Sequence, residues 1–168
     1  MSSLYIGTST FTAAGWEGSF YPSGAKPYDY LQYYSQRFNS VEVDSTFYRI
    51  PSQAMVQAWD RKTPDGFTFA AKIPQVITHQ KVLVECDLEF KQFLTAMDFL
   101  GAKLGPLLFQ FGYFNWNVFP TVKDFMARLR PFLNKLPQDH KFAVEIRNKT
   151  WLVPQFIELL RERGIALP

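Results

Sequence analysis

The sequence predicts an α/β fold: a TIM-type (β/α) barrel that is incomplete, with about five to six of its eight strand–helix units. Three observations predict it. Short apolar runs alternate with helix-period segments, and their starts lie roughly 25 to 40 residues apart, as parallel strands joined by crossover helices require. The first run leads into Gly7-Thr8-Ser9-Thr10-Phe11. That turn lacks the GxGxxG of a dinucleotide-binding sheet, which favours a closed barrel over an open, doubly wound one. Four of the runs carry one bulky face and one face that turns polar toward its C-terminal end, where barrel proteins place their sites.

Residues 4–8 form the first expected strand, followed by a helix over 28–38. The second strand, 40–45, sets Val41 and Val43 on one face and Glu42 and Asp44 on the other. Ser52 is placed to cap a helix running through Met55, Val56 and Trp59. In the third strand, 67–73, Phe67, Phe69, Ala71 and Ile73 oppose Thr68, Ala70 and Lys72. Asp87 is the expected N-cap of the longest helix, in which Phe90, Phe93, Leu94, Met97 and Leu100 recur at three- and four-residue steps. The fourth strand, 107–111, opposes Leu107, Phe109 and Phe111 to Leu108 and Gln110. Thr121 with Asp124 reads as a capping box, and Pro131 is expected to kink or end that helix. In the fifth strand, 142–147, Phe142, Val144 and Ile146 oppose Ala143, Glu145 and Arg147. A helix over 151–163 stops before Gly164, and 165–167 opens a sixth strand. No long linker interrupts the chain, so residues 1–168 read as a single domain.

Of the 168 residues, 47% are hydrophobic and 20% charged, which excludes a disordered chain. Aromatic residues reach 17%; core packing takes most of them, and a ring-lined cleft is the alternative. The net charge of +3 needs nothing beyond a solvated surface. No block of like charges forms a polybasic tail for nucleic acid or membrane. Cys86 is the single cysteine, which excludes an intramolecular disulfide and a cysteine zinc site. The start, Met1 to Ile6, lacks the basic and long apolar segments of a signal peptide. No stretch approaches the ~20 apolar residues of a membrane span. A soluble, cytoplasmic protein without a membrane partner is expected.

The polar strand ends and their neighbours also carry a family likeness. Ile6-Gly7-Thr8-Ser9, WEGSFYP over 16–22, VEVDSTFY over 41–48, Phe69 to Lys72, Thr78-His79, LGPLLFQ over 104–110, and AVEIR over 143–147 with Trp151 resemble the YecE-like family. This family is catalogued as domain of unknown function 72. The likeness covers nearly the whole chain. It implies a TIM-type barrel, related at fold level to the endonuclease-four and xylose-isomerase barrels, and a site without an assigned reaction. Carried over by position, the family's polar signature falls on Glu42, Asp44, Thr46, Tyr48, Lys72, His79, Gln110, Glu145 and Arg147. Alternation alone selects Glu42, Asp44, Lys72, Gln110, Glu145 and Arg147 from that set. The chain departs from the family in three places. Thr10-Phe11 stands where Gly-Trp is usual, and Phe111-Gly112-Tyr113 where a Pro pair is usual. The sequence also stops at Pro168 whereas family members continue for several strands, so a C-terminally truncated product or a fragment is expected.

Charges on inward strand ends cost several kcal/mol unless paired. Glu42, Asp44, Lys72, Glu145 and Arg147 therefore either neutralise one another in a structural ion-pair layer or hold a ligand. Glu42 and Glu145 are the candidate acid and base, with His79 in the loop after the third strand as a further one. Lys72 and Arg147 suit a phosphate or carboxylate. Asp44, Thr46, Tyr48, Gln110, Trp16 and Trp151 complete the expected ligand-binding set. The leading reading is a barrel protein binding a small anionic or phosphorylated ligand, acting as a hydrolase or lyase if it is an enzyme. No cofactor and no metal are expected, with carboxylate-bound magnesium on Glu42, Asp44 and Glu145 as the chemical alternative. His140 lies at the wrong end of the barrel to join a metal site. A nucleic-acid-binding module is the second reading, drawn from the pI of 9.0 and the rings of Phe47, Tyr48, Tyr113, Phe114 and Trp116. A third is a chain without independent activity that self-associates through exposed barrel edges.

Overall fold

In the computed structural model, which describes residues 4–168, four parallel strands pair in the order β1-β2-β3-β4. They are β1 (Ser40–Val43), β2 (Thr68–Lys72), β3 (Leu104–Gln110) and β4 (Phe142–Glu145). Helix α1 (Tyr30–Tyr34) precedes the sheet. Then α2 (Ser45–Tyr48) and α3 (Gln53–Lys62) join β1 to β2, α4 (Asp87–Met97) joins β2 to β3, α5 (Val122–Leu133) joins β3 to β4, and α6 (Pro154–Arg161) follows. The fold is thus α/β with a parallel sheet, and the sheet is not closed. Residues 1–3, part of the start compared with a signal peptide, lie outside the described residues. No described helix is long and apolar enough to cross a membrane.

Alternation sets the two faces. Val41, Val43, Phe69, Ala71, Leu107, Phe109 and Val144 are buried and meet the inner sides of the helices through Val56, Phe93, Phe125 and Phe156. Each of these side chains larger than alanine contributes roughly 1.5–3 kcal/mol by leaving water. Much of the aromatic content is spent here: Phe132 on α5 stands 5.2 Å from Phe90 and 5.5 Å from Phe109, ring centre to ring centre. The opposite face, with Glu42, Lys72, Gln110 and Glu145, is only half-buried.

Two of the six expected strands are not strands. Residues 4–8 lie beside β1, where the Glu42 N–H donates to the Thr8 carbonyl at 3.0 Å. Side chains take the place of a longer ladder. Asn39 accepts from the Ile6 N–H at 2.7 Å and donates to the Leu4 carbonyl at 2.8 Å, and the Tyr34 hydroxyl accepts from the Thr8 N–H at 2.8 Å. Gly7 permits this approach, since a Cβ there would stand 2.0 Å from the Ser40 carbonyl oxygen. At the far edge, 165–167 pairs through Ala166 alone, which bonds Val144 and Phe142 at 2.9 and 3.0 Å.

Local signals fared unevenly. Ser52 caps α3 through the Met55 N–H, and Thr121 with Asp124 forms the expected capping box. Asp87 is the first residue of α4 rather than its cap, which is Cys86. Pro131 does not end α5; the helix continues to Leu133 because Phe132 and Leu133 are buried against the core. The helices expected over 28–38 and 151–163 are shorter, each preceded by a 3₁₀ turn. After β2 comes a π-helix, Val76–Gln80, which no periodicity announced. Val82, Leu83 and Glu85 follow with φ of 43°, 67° and 49°. Left-handed backbone costs an L-residue roughly 1–2 kcal/mol. Burial of the Val82 and Leu83 side chains, with the Leu83 N–H bonded to the Ile77 carbonyl at 2.9 Å, offsets that cost.

Candidate functional site

Beyond the C-terminal ends of the strands lies a 440 Å³ cavity lined by Asp44, Phe47, Tyr48, Lys72, Gln75, His79, Gln110 and Arg147. The strands bring these residues together because Lys72 and Gln110 occupy the open face at the last position of β2 and β3. Asp44 and Arg147 lie just past β1 and β4, while α2 and the π-helix add Tyr48 and His79. A second cavity, of 550 Å³, lies along the opposite strand ends, where Thr8, Ser40, Thr68, Ala70 and Pro106 supply small or apolar walls and Glu42 reaches in. The first is the candidate site, because charged and titratable groups converge there.

Lys72 organises the first cavity. Its Nζ stands 2.8 Å from Asp44 Oδ1 and 3.4 Å from Glu42 Oε1. Burial alone would lower the ammonium's proton affinity, but the two carboxylates reverse that and hold its pKa above the ordinary value. Glu42 is pushed up, first by burial and then by its hydrogen bond with Asp44, against the pull of Lys72. Two carboxylates thus share one ammonium, with Glu42 the more distant of the two.

Glu145 belongs to another arrangement. Its Oε2 accepts from Gln110 Nε2 at 2.8 Å. β1 and β4 are the outer strands of the four, and three strand spacings put them about 14 Å apart along the sheet. The expected constellation of Glu42, Glu145, Lys72 and Arg147 therefore divides into a Lys72 cluster and a Gln110–Glu145 pair.

His79 sits with its Nδ1 2.8 Å from the Thr78 hydroxyl and its ring edge-on to Phe47, centroids 5.1 Å apart. Burial first, then the positive charge of Arg147, lowers its pKa, which favours the neutral imidazole. Arg147 itself is exposed and makes no ion pair among the described residues.

The remaining expected site residues hold the surroundings. Thr46 is fully buried, its hydroxyl 2.7 Å from the Val43 carbonyl oxygen and 2.8 Å from that of Lys72, which ties α2 to the ends of β1 and β2. Trp151 is buried, stacked 5.1 Å from Phe125 and 6.0 Å from Phe114. Trp16 packs on Phe20 and Tyr21, at 5.4 and 6.1 Å. His140 bridges Asp98 and Asp139, both at 2.8 Å, and lines cavities other than the first. No group of three or more His, Cys, Asp or Glu able to hold a metal occurs among the described residues.

Sequence reasoning missed Gln75, Gly112 and Asn148, and gave Thr78 no role. Asn148 is buried and clamps the loop after β3, accepting from the Phe114 N–H at 2.9 Å and donating to the Phe114 carbonyl at 2.8 Å. It lies one residue beyond the alternation that picked out Arg147, so strand parity had no hold on it.

The profile described as "Protein of unknown function DUF72" matches residues 5–167. The chain belongs to the DUF72 family. It is 32% identical over 139 residues to the UPF0759 protein YecE of Escherichia coli strain K12, covering 80% of this chain and 47% of that protein. It is 33% identical over 161 residues to the UPF0759 protein YunF of Bacillus subtilis strain 168, covering 92% and 54%. This DUF72 chain thus spans about half the length of the curated relatives it matches. A crystal structure of a DUF72 family protein from Enterococcus faecalis V583 superposes with a TM-score of 0.64 at 23% identity, covering 97% of this chain and 61% of that one. That likeness is one of fold. Every residue lining the first cavity lies within the DUF72 match.

Proposed function

We propose that the first cavity binds a small anionic or phosphorylated ligand, with Arg147 as its principal anion contact. The observation that supports this reading is a guanidinium lining a cavity beside His79 and Gln110 with no carboxylate paired to it among the described residues. Its planar fork of donors matches phosphate or carboxylate oxygens. Lys72 plays a different part, because Asp44 and Glu42 already balance its charge. Glu42, with its raised proton affinity, lines the second cavity and meets the first only through its ion pair with Lys72, so we assign it no direct acid–base step on a ligand at the rim. We place the sheet as an arc of a TIM-type barrel, a reading supported by the sequential parallel strand order and by polar residues at the C-terminal strand ends.

Calorimetric titration with inorganic phosphate and a sugar phosphate tests the proposal. Arg147→Ala is expected to weaken binding about tenfold or more, about 1.4 kcal/mol, with an unchanged thermal melt. Equal affinity in the two proteins contradicts it. A nucleic-acid reading keeps one observation in its favour, the exposed rings of Tyr113 and Trp116 at 73% and 72%. In the same titration, a single-stranded oligonucleotide that binds more tightly than phosphate and weakens steeply with salt would favour that second reading.

A further inference from the structure

We infer that Thr78 is a positioning residue that fixes His79 as the Nε2–H tautomer, so that a neutral imidazole donates a hydrogen bond to an anionic oxygen in the cavity. The inference rests on the anion-binding reading for the identity of the acceptor, and on geometry for the tautomer.

Thr78 is fully buried, and among the described residues its hydroxyl has a single partner, His79 Nδ1 at 2.8 Å. A buried O–H without an acceptor loses its hydration and regains nothing. Only an unprotonated Nδ1 accepts from it. If Nδ1 carried the proton it would donate to Oγ1, and the buried hydroxyl hydrogen would be left with no acceptor among the described residues. The imidazolium meets the same conflict, since both its nitrogens donate. Thr78 therefore disfavours the charged ring in the same direction as burial and Arg147 do.

On the other side of the ring, Nε2 lies beside Gly112. A Cβ at Gly112 would stand 3.1 Å from Nε2 and 3.3 Å from Cδ2. Glycine there avoids that crowding at Nε2, and His79 lines the cavity together with Arg147. The π-helix Val76–Gln80 makes the arrangement possible, with Ile77 and Thr78 both fully buried and the next residue, His79, facing the cavity. π-turns recur where a functional side chain must be re-aimed. In this tautomer Nε2 gives a hydrogen bond and cannot take a proton, so His79 serves recognition rather than base catalysis.

Nitrogen-15 NMR of the histidine rings in the whole ligand-free chain, at mildly alkaline pH, tests this directly. His79 is assigned by comparison with His79→Gln, as His140 is the chain's one other histidine. The expected result is a protonated Nε2 and an accepting Nδ1. Thr78→Val should yield a mixture of tautomers and weaken inorganic phosphate binding by about threefold to tenfold, whereas Thr78→Ser should retain both properties. A proton on Nδ1 in the unaltered protein, or an unchanged tautomer in Thr78→Val, overturns the inference. If the tautomer is as expected and phosphate fails to bind, the anion-binding reading falls while the role of Thr78 in setting the tautomer stands.

Discussion

His79 and His140 are pushed in opposite directions by their neighbours, although nothing in their sequence spacing separates them. Burial and Arg147 lower the pKa of His79, whose cavity also presents Asp44, Tyr48 and Lys72. For His140 burial pulls the same way, but the hydrogen bonds to Asp139 and Asp98 prevail and the pKa is raised. A lowered histidine contributes stability that is complete above about pH 6.5 and lost as pH falls through its folded value. A raised one contributes stability that is complete below about pH 6.5 and lost as pH rises through its folded value. Urea unfolding across neutral pH should therefore show the deficit of His79→Gln shrinking as pH falls and that of His140→Gln shrinking as pH rises. Profiles parallel to the unaltered protein's would contradict both assignments. At this scale the sequence was informative where a strand carries the residue. Alternation led to Asp44, Lys72, Gln110 and Arg147, all of which line the cavity. It also led to Glu42 and Glu145, which belong to the surrounding networks. For residues off the strands, such as Thr46, Trp16 and Trp151, the sequence does not say whether a hydroxyl or an indole turns toward the mouth or into the core.

Elements were legible where their signals are local and obscure where they depend on a partner. The capping residues Ser52 and Thr121 bond only to their own helices, and both were readable. Residues 4–8 have strand composition, yet Asn39 and Tyr34 satisfy much of their backbone in place of a ladder. Those side chains lie more than twenty residues away, beyond any window of periodicity. The loop after β3 shows the same dependence, held through the two Asn148–Phe114 bonds. Asn148→Ala should cost about 1–3 kcal/mol by leaving both Phe114 backbone groups unpaired. It should also speed limited proteolysis between Gly112 and Thr121. Denaturant unfolding and the cleavage map check this, and an unaltered cleavage rate would show that the clamp does not hold the loop.

For the whole molecule, strand order matters more than any single contact. Sequential parallel pairing places the C-terminal ends of all four strands along one rim, and residues from the segments that follow them line the first cavity. Strand–helix alternation made the parallel sheet legible from sequence. Closure was not legible in the same way, because it depends on which edges meet, and the observed four-stranded sheet is not closed. The Lys72 cluster lies where the two cavities approach, with Glu42 lining one and Asp44 and Lys72 the other. The most direct measurement is a titration of the isotope-labelled chain with inorganic phosphate, followed by backbone amide NMR. Binding at the rim predicts shifts centred on 44–48, 75–79, 110–112 and 145–148, reduced in Arg147→Ala. Shifts centred on the opposite strand ends, around Thr68 and Pro106, or no saturable shift at all, would contradict it.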